Sequence, residues 1–417
     1  MTAIPEELRP ESPPPPQREQ ALDLLRRPDF RRLFAAVCAS ELGDSLHYIA
    51  LMWFALVAGG PLGVVAVRLA DSIPAIVFGF HGGVAADRFD RKRLMVSADL
   101  VRAATLVPIA ILGLSGHLPL VALVVAAFVL ESATSYFAPA YGATMPALVG
   151  RPNVQAANGL IQATTNALSI GGWAVAAALV AVLPVSAFFA VNAASFVVSA
   201  VLIARIRGAG GRPLHEEAPR LREGFAALRP HPRLAAAVIV LGAAVTISSG
   251  TWIGGVPELV RNTLGLGAGS FSALMIGYAL GSIASGVVLA RRPVRRKAIA
   301  SMAAWTLYLP AYALFAFAGS LWLAMLGAAL AGISQSSALV LVNAAAQEEV
   351  PDRVLGRVSG LISLTHRGAH ATGLLFVAPW FAIVAPPTVF AAAALALPLV
   401  GLAGIALSRA VAARAPG

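Results

Sequence analysis

The stretch Gly82-Gly83-Val84-Ala85-Ala86-Asp87-Arg88-Phe89-Asp90-Arg91-Lys92-Arg93 decides the fold through what flanks it on either side. Residues 62–86 before it and 94–115 after it are long apolar runs. Each is long enough to cross about 30 Å of hydrocarbon as a helix of about 20 residues. The charged cluster between them is too short to be a domain and too polar for lipid, so it is a joint between two membrane spans. The whole chain reads the same way. Of its 417 residues 58% are hydrophobic and 12% charged, with a mean hydropathy of +0.78. A soluble domain carries about 25% charged residues to cover its surface.

Working outward from that joint gives twelve apolar runs, near 33–58, 62–86, 94–115, 119–140, 155–183, 186–206, 234–260, 269–290, 298–318, 321–343, 355–383 and 387–409. They are too long for buried strands. The short joints carry turn chemistry: Gly59-Gly60-Pro61, Ser115-Gly116-His117, Gly150-Arg151-Pro152, Leu183-Pro184, Gly319-Ser320 and Ala385-Pro386-Pro387. The expectation is an all-α membrane protein of twelve transmembrane helices in two six-helix bundles. The boundaries are a disordered N-tail over 1–32, bundles over 33–206 and 234–409, a linker over 207–233 and a C-tail over 410–417.

The formal net charge of +11 is distributed unevenly. Arg68, Arg102 and Arg367 lie within apolar runs and Arg261 lies alone in one set of joints. The remaining Lys and Arg residues occupy the tails and the other set, at 87–93, 146–153, 205–233, 291–297 and 346–357. The positive-inside rule then places both termini and the linker in the cytoplasm of a bacterial-type inner membrane. Basic clusters broken up by apolar runs do not gather on one face, which argues against a nucleic-acid partner. The N-terminus lacks the basic-then-apolar order of a signal peptide. Cys38, the single cysteine, precludes an intrachain disulfide and a thiolate metal cluster.

A shift of 204 residues superposes Gly82, Val84, Ala86, Arg88 and Arg91 on Gly286, Val288, Ala290, Arg292 and Arg295. A shift of 201 brings Gly159-Leu160-Ile161 onto Gly360-Leu361-Ile362. Two matches in the same order point to an internal duplication. The joint itself, with Gly83, Asp87, Arg88, Arg91, Lys92 and Arg93 at their spacing, resembles the cytoplasmic signature loop of the major facilitator superfamily, G-x-x-x-D-R-x-x-R-basic-basic. Glu41-Leu42-Gly43-Asp44, Pro139–Pro146 and Ala157-Asn158-Gly159 are similar to the bacterial exporter branch that contains siderophore and macrolide efflux proteins. The resemblance implies that the loop latches the two halves when the cytoplasmic side is closed, with Asp87 approaching 356–360. Arg291 and Val287 stand in the second copy where Asp87 and Gly83 stand in the first, so such a latch is one-sided. Exporters of the superfamily often carry Gly-Pro in the fifth helix. This chain has Ser169-Ile170-Gly171-Gly172-Trp173 there instead.

Ionisable residues inside spans are costly and mark pathways. Asp44, Asp71 and Glu131 fall near mid-depth, and Glu41, Asp44 and Tyr48 share one helical face. Arg68 and Asp71 are three residues apart and can pair. Acids in a dehydrated cavity suit proton exchange, so these residues, with Arg68, His366, Arg367 and His370, form the candidate proton and substrate pathway. Tyr136, Gln162, Asn166, Trp252, Tyr278, Gln335 and Asn343 are candidate lining. His366 and His370 have no evident third ligand, and neither a metal nor a cofactor is expected.

The function expected is secondary active transport by alternating access, with proton-coupled export of a small amphipathic or cationic organic compound. The partners expected are that substrate, protons and membrane lipids, for a monomeric carrier. The alternatives are a membrane enzyme acting on a lipid or peptide, or a carrier of the same fold working as an importer or lipid flippase. No G-x-S-x-G, H-E-x-x-H or phosphate-cradling loop supports the enzyme.

Overall fold

The computed structural model describes residues 20–207, 226–292 and 294–414. These are almost wholly helical, with no strand among them. The elements are α1 (Pro28–Arg88), α2 (Arg91–Leu114), α3 (Leu120–Val149), α4 (Val154–Leu179) and α5 (Ala187–Ala204), then α6 (Pro232–Glu258) and α7 (Ala268–Arg291). They continue with α8 (Lys297–Ala304), α9 (Tyr308–Ala316), α10 (Leu321–Glu349), α11 (Asp352–Phe376) and α12 (Pro386–Arg414). Among the described residues nine helices are long and apolar enough to cross a membrane. One of these runs continuously through α8, the 3-10 turn Trp305–Leu307 and α9. Two more, α4 and α11, are 26 and 25 residues long but carry polar faces, with Gln162 and Asn166 on one and His366, Arg367 and His370 on the other.

The run through α1 is two helices end to end. Gly60 breaks it at φ 59° and ψ −155°, a region open almost only to glycine, and Pro61 starts the second arm. The joint Gly59-Gly60-Pro61 therefore reverses the chain with no loop.

The helices pack as two groups. In the first, α1 contacts α3, α4 and α5, and α2 contacts α3 and α5; in the second, α6 contacts α11 and α12, and α10 contacts α7, α8 and α9. Glycines set the closest crossings. A Cβ on Gly82 would stand 2.0 Å from the Ser135 carbonyl oxygen, and one on Gly281 would stand 1.9 Å from that of Ala329. The first joins the second arm of α1 to α3 and the second joins α7 to α10. Small residues allow such backbone approach where lipid supplies no hydrophobic driving force.

The N-terminal segment departs from the expected disorder over 1–32. Residues 1–19 lie outside the described residues. Asp23–Arg26 form a 3-10 turn and α1 begins at Pro28. Leu24, Phe30 and Leu33 are fully buried against Met95, Leu148 and Ile203, and Arg27 donates to the Leu148 carbonyl at 3.2 Å. Three apolar side chains here plug the base of the bundle, which a composition count over a proline-rich tail does not register. At the other terminus α12 runs on to Arg414, through most of the expected C-tail. Most of the linker, 208–225, lies outside the described residues.

Candidate functional site: a cavity between the two bundles

The basic joint is built as a staple. Asp90 caps α2 by accepting from the Arg93 backbone N–H at 2.8 Å. Arg91 is buried and donates to the Ala143 carbonyl on α3 at 2.9 Å. Lys92 reaches the carbonyls of Ala204 and Ile206 at the end of α5, at 3.4 and 3.2 Å. Arg88 and Arg93 are exposed. The Asp87 and Gly356 side chains lie outside the described residues, and with them the expected approach of this loop to α11.

Between the bundles lies a cavity of about 590 Å³. Its first wall comes from α1 and α4, with Glu41, Asp44, Tyr48, Arg68, Ser169 and Trp173. Gly43 makes this wall possible. A Cβ there would overlap Ser195 and Asn192, so α5 comes close enough for Asn192 Nδ2 to donate to Asp44 Oδ1 at 3.0 Å. Ser169 donates to Glu41, and Arg68 pairs with Asp71 at 2.5 Å while lying 5.9 Å over the Tyr48 ring.

The opposite wall holds no carboxylate in its lining set: it is hydroxyl, amide, imidazole and aromatic surface from α6, α7, α9, α10 and α11. Trp252 and Tyr278 pack with ring centroids 4.8 Å apart. Tyr308 donates to Gln335 Oε1 at 3.3 Å, Gln335 Nε2 lies 3.3 Å from His366 Nε2, and His366 and His370 are 4.7 Å apart. The carboxylates and the guanidinium thus face an aromatic and polar surface that has no carboxylate in its lining set. Three buried polar atoms on the lining residues have no hydrogen-bond partner among the described residues: Arg68 Nε, Trp173 Nε1 and Ser249 Oγ.

A second cavity of about 370 Å³ opens inside the first bundle, behind α1. Glu41, Asp44, Tyr48 and Arg68 border both spaces, and Asp71, Arg102, Glu131 and Phe137 line only this one. Arg102 is held firmly. It donates to the fully buried Asp99 at 2.8 Å, Ser199 donates to the other oxygen of Asp99 at 2.6 Å, and the guanidinium sits 4.7 and 5.2 Å from the ring centres of Phe137 and Phe196. Sequence reading left out Asp99, Asn192 and Ser199. The three-residue spacing of Asp99 and Arg102 was the available signal.

The candidate residues divide accordingly. Glu41, Asp44, Arg68, His366 and His370 line the central cavity, as do Trp252, Tyr278 and Gln335. Asp71 and Glu131 sit behind α1. Arg367 is exposed and in neither lining set. Gln162 and Asn166 bond to each other at 2.9 Å on an exposed face, Asn343 bonds to the Leu339 carbonyl at 2.8 Å, and Tyr136 lines a lipid-side groove between α2 and α3.

The cavity is shut at the end away from the basic joints. There Arg261 donates to the Leu56 carbonyl across the bundles at 2.9 Å, Tyr48 stacks on Phe271 at 6.3 Å, and Gly269 meets Ala177 and Val180. Toward the basic end, a Cβ placed on Gly79, Gly83, Gly159, Gly286 or Gly360 would meet no described atom within 4 Å.

One sequence family, described as transmembrane secretion effector within the major facilitator superfamily, matches residues 20–414. The chain belongs to this major facilitator family. The facilitator is 27% identical over 400 residues to the multidrug efflux pump Tap of Mycolicibacterium fortuitum, covering 92% of this chain and 96% of that one. It is 32% identical over 182 residues to macrolide efflux protein A of Enterococcus faecalis, 42% of this chain and 56% of that one. An MFS-type transporter of Bacillus subtilis, YkuC, is 28% identical over 188 residues, 45% and 43% of the two chains. The match thus spans about half the length of these last two relatives. Among solved structures, the nucleoside transporter NupG superposes with a TM-score of 0.70 at 15% identity, over 91% of this chain and 98% of that one. A bacterial homologue of ferroportin gives 0.68 at 19%, over 91% and 98%. At such identities the likeness is one of fold. The family and the fold together make this chain a multi-pass membrane protein.

Proposed function

We propose that this facilitator exports an amphipathic, cationic organic compound by alternating access, drawing on protons. The observation that carries the reading is the two-faced cavity at the bundle interface. Glu41 and Asp44 supply negative charge on one wall, and Trp252 and Tyr278 supply flat apolar surface on the other. The efflux functions in the names of two relatives support export.

In this reading the chain has twelve spans and acts as a monomer, with its termini and basic joints in the cytoplasm. The conformation described is then cytoplasm-open, ready to load. Export follows when the basic ends of the bundles close and the Arg261 end parts. Asp44 and Glu41 at the central cavity, and Asp71 and Glu131 behind it, form a continuous acidic lining through which a proton can exchange with the guest. The Gly83–Arg93 loop acts as the latch of the cytoplasm-closed state through Asp87.

The test is uptake into inverted vesicles from a transporter-deficient host, driven by an imposed pH gradient and screened with lipophilic cations. Asp44→Asn with Asp71→Asn should abolish the pH-driven component at normal expression. Unchanged pH-driven uptake would remove proton coupling through these acids. Asp87→Asn should raise labelling of cavity cysteines from the cytoplasmic side, and equal labelling would remove the latch.

A further inference from the structure

At the basic end of the seam between α2 and α5 lies a cavity of about 520 Å³, separate from the transport pathway. Arg32, Lys92, Ala204, Arg205, Ile206 and Arg207 line it, so four of its six lining residues are cations. Two of them are fixed. Arg32 donates to the Arg205 carbonyl at 3.0 Å and pairs with Asp29 at 2.6 Å, and Lys92 holds the carbonyls of Ala204 and Ile206. These bonds satisfy the free carbonyls that end α5. Arg32 and Lys92 thereby place two positive charges against the negative pole of that helix. Lys92 stands in the first turn of α2. Arg205 and Arg207 are exposed and their guanidinium groups form none of the ion pairs found among the described residues, while the Arg207 backbone N–H donates to Asp29 at 3.2 Å.

The surface running away from this cavity is apolar. Leu100 on α2 and Val197, Val198 and Val201 on α5 are exposed along the seam. Val201 lies one turn from Arg205, and Leu100 lies about 12 Å along α2 from Lys92 at the rise of an α-helix. A charged socket with a greasy strip leading from it fits one molecule with both properties.

We infer that this cavity holds the headgroup of an anionic phospholipid, its phosphodiester on Arg205, Arg207 and Lys92 and its acyl chains on the α2–α5 strip. Basic pockets between spans on the cytoplasmic side suit such headgroups. The inference rests on the proposed orientation, which puts the socket at the inner leaflet. A soluble phosphate ester would satisfy the cations alike but would leave the apolar strip unused.

The test is native mass spectrometry of the full chain, titrated with phosphatidylglycerol or phosphatidylcholine. Phosphatidylglycerol should bind in preference. Each cation is worth about fivefold in affinity, so Arg205→Gln with Arg207→Gln should weaken it about 25-fold. The double lysine variant, R205K with R207K, should stay within a few-fold of the parent and so controls for folding. Equal binding of the two lipids, or an unchanged double glutamine variant, would overturn the site. Displacement of the lipid by millimolar glycerol phosphate would overturn the lipid as occupant and leave a free-anion pocket. Lipid adducts are counted without any transported compound, so failure here is distinct from failure of the transport reading.

Discussion

Replacing Arg261 by alanine should open the neutral end of the cavity. Leu56 lies in the last turn of the first arm of α1, and the break at Gly60 removes the helical partner that its carbonyl would have four residues on. Arg261, in the π-helical turn Leu259–Thr263 that ends α6, donates to that carbonyl at 2.9 Å. A hydrogen bond involving a charged group contributes about 1.5–3 kcal/mol, and its position at the negative pole of a helix adds to it. Because the bond joins opposite bundles, the alternate state loses it. Removing it should shift the ratio of the two states by about 10- to 150-fold. Arg261→Gln keeps a donor without the charge and should fall between. Cys38 is the sole cysteine, so Cys38→Ser gives a background in which Ser249→Cys reports on the cavity. A membrane-impermeant maleimide added from the neutral side should label that cysteine at least tenfold faster in the Arg261→Ala protein. Equal rates would show that closure of this end does not depend on the Arg261 bond, and the gate would have to be sought elsewhere.

Further outcomes follow from the same geometry. Asp99→Asn leaves Arg102 without its buried counter-charge, so it should cost about 3–5 kcal/mol and lower the melting temperature in detergent; an unchanged melt would mean that the pair is dispensable. Gly82→Val and Gly281→Val would drive side chains into the Ser135 and Ala329 carbonyls, and both should fail to give monodisperse protein by size-exclusion chromatography. Gly159→Leu and Gly360→Leu meet open space in this conformation and should fold normally, yet wedge the basic end apart and stop efflux. Normal efflux in both would refute close packing there in the other state. Gly60→Ala should destabilise by about 1–3 kcal/mol through its backbone angle alone, read as a lower melting temperature.

What the sequence disclosed, and what it hid, follows from the range of each interaction. The joints were legible because their determinants are local: Gly60 needs its angle and Pro61 its helix start, whatever surrounds them. The Arg68–Asp71 pair was legible from three-residue spacing, and the duplication from two short matches. Hidden were contacts between residues far apart in the chain. Ser199 reaches Asp99 across 100 residues and Arg261 reaches Leu56 across 205, and nothing in either neighbourhood announces the partner. Direction was hidden as well. Spacing put Tyr136 and Gln335 alike on plausible inner faces, yet one lines a lipid-side groove and the other the cavity. The order of residues 20–32 escaped for a different reason. Three apolar residues, Leu24, Phe30 and Leu33, are enough to dock a segment whose composition is otherwise charged.

The rocking of two bundles about a shared cavity can be measured without knowing the substrate. Spin labels at Gly159 and Gly286 report on the basic ends of α4 and α7, and a second pair at Val182 and Gly267 reports on their neutral ends. Each pair is placed in the Cys38→Ser protein, reconstituted in lipid and measured by double electron–electron resonance over a range of pH. Two populations should appear at each end, and the short distance at one should rise in step with the long distance at the other. A single unchanging distance at both ends, or two ends that open together, would contradict alternating access in this chain.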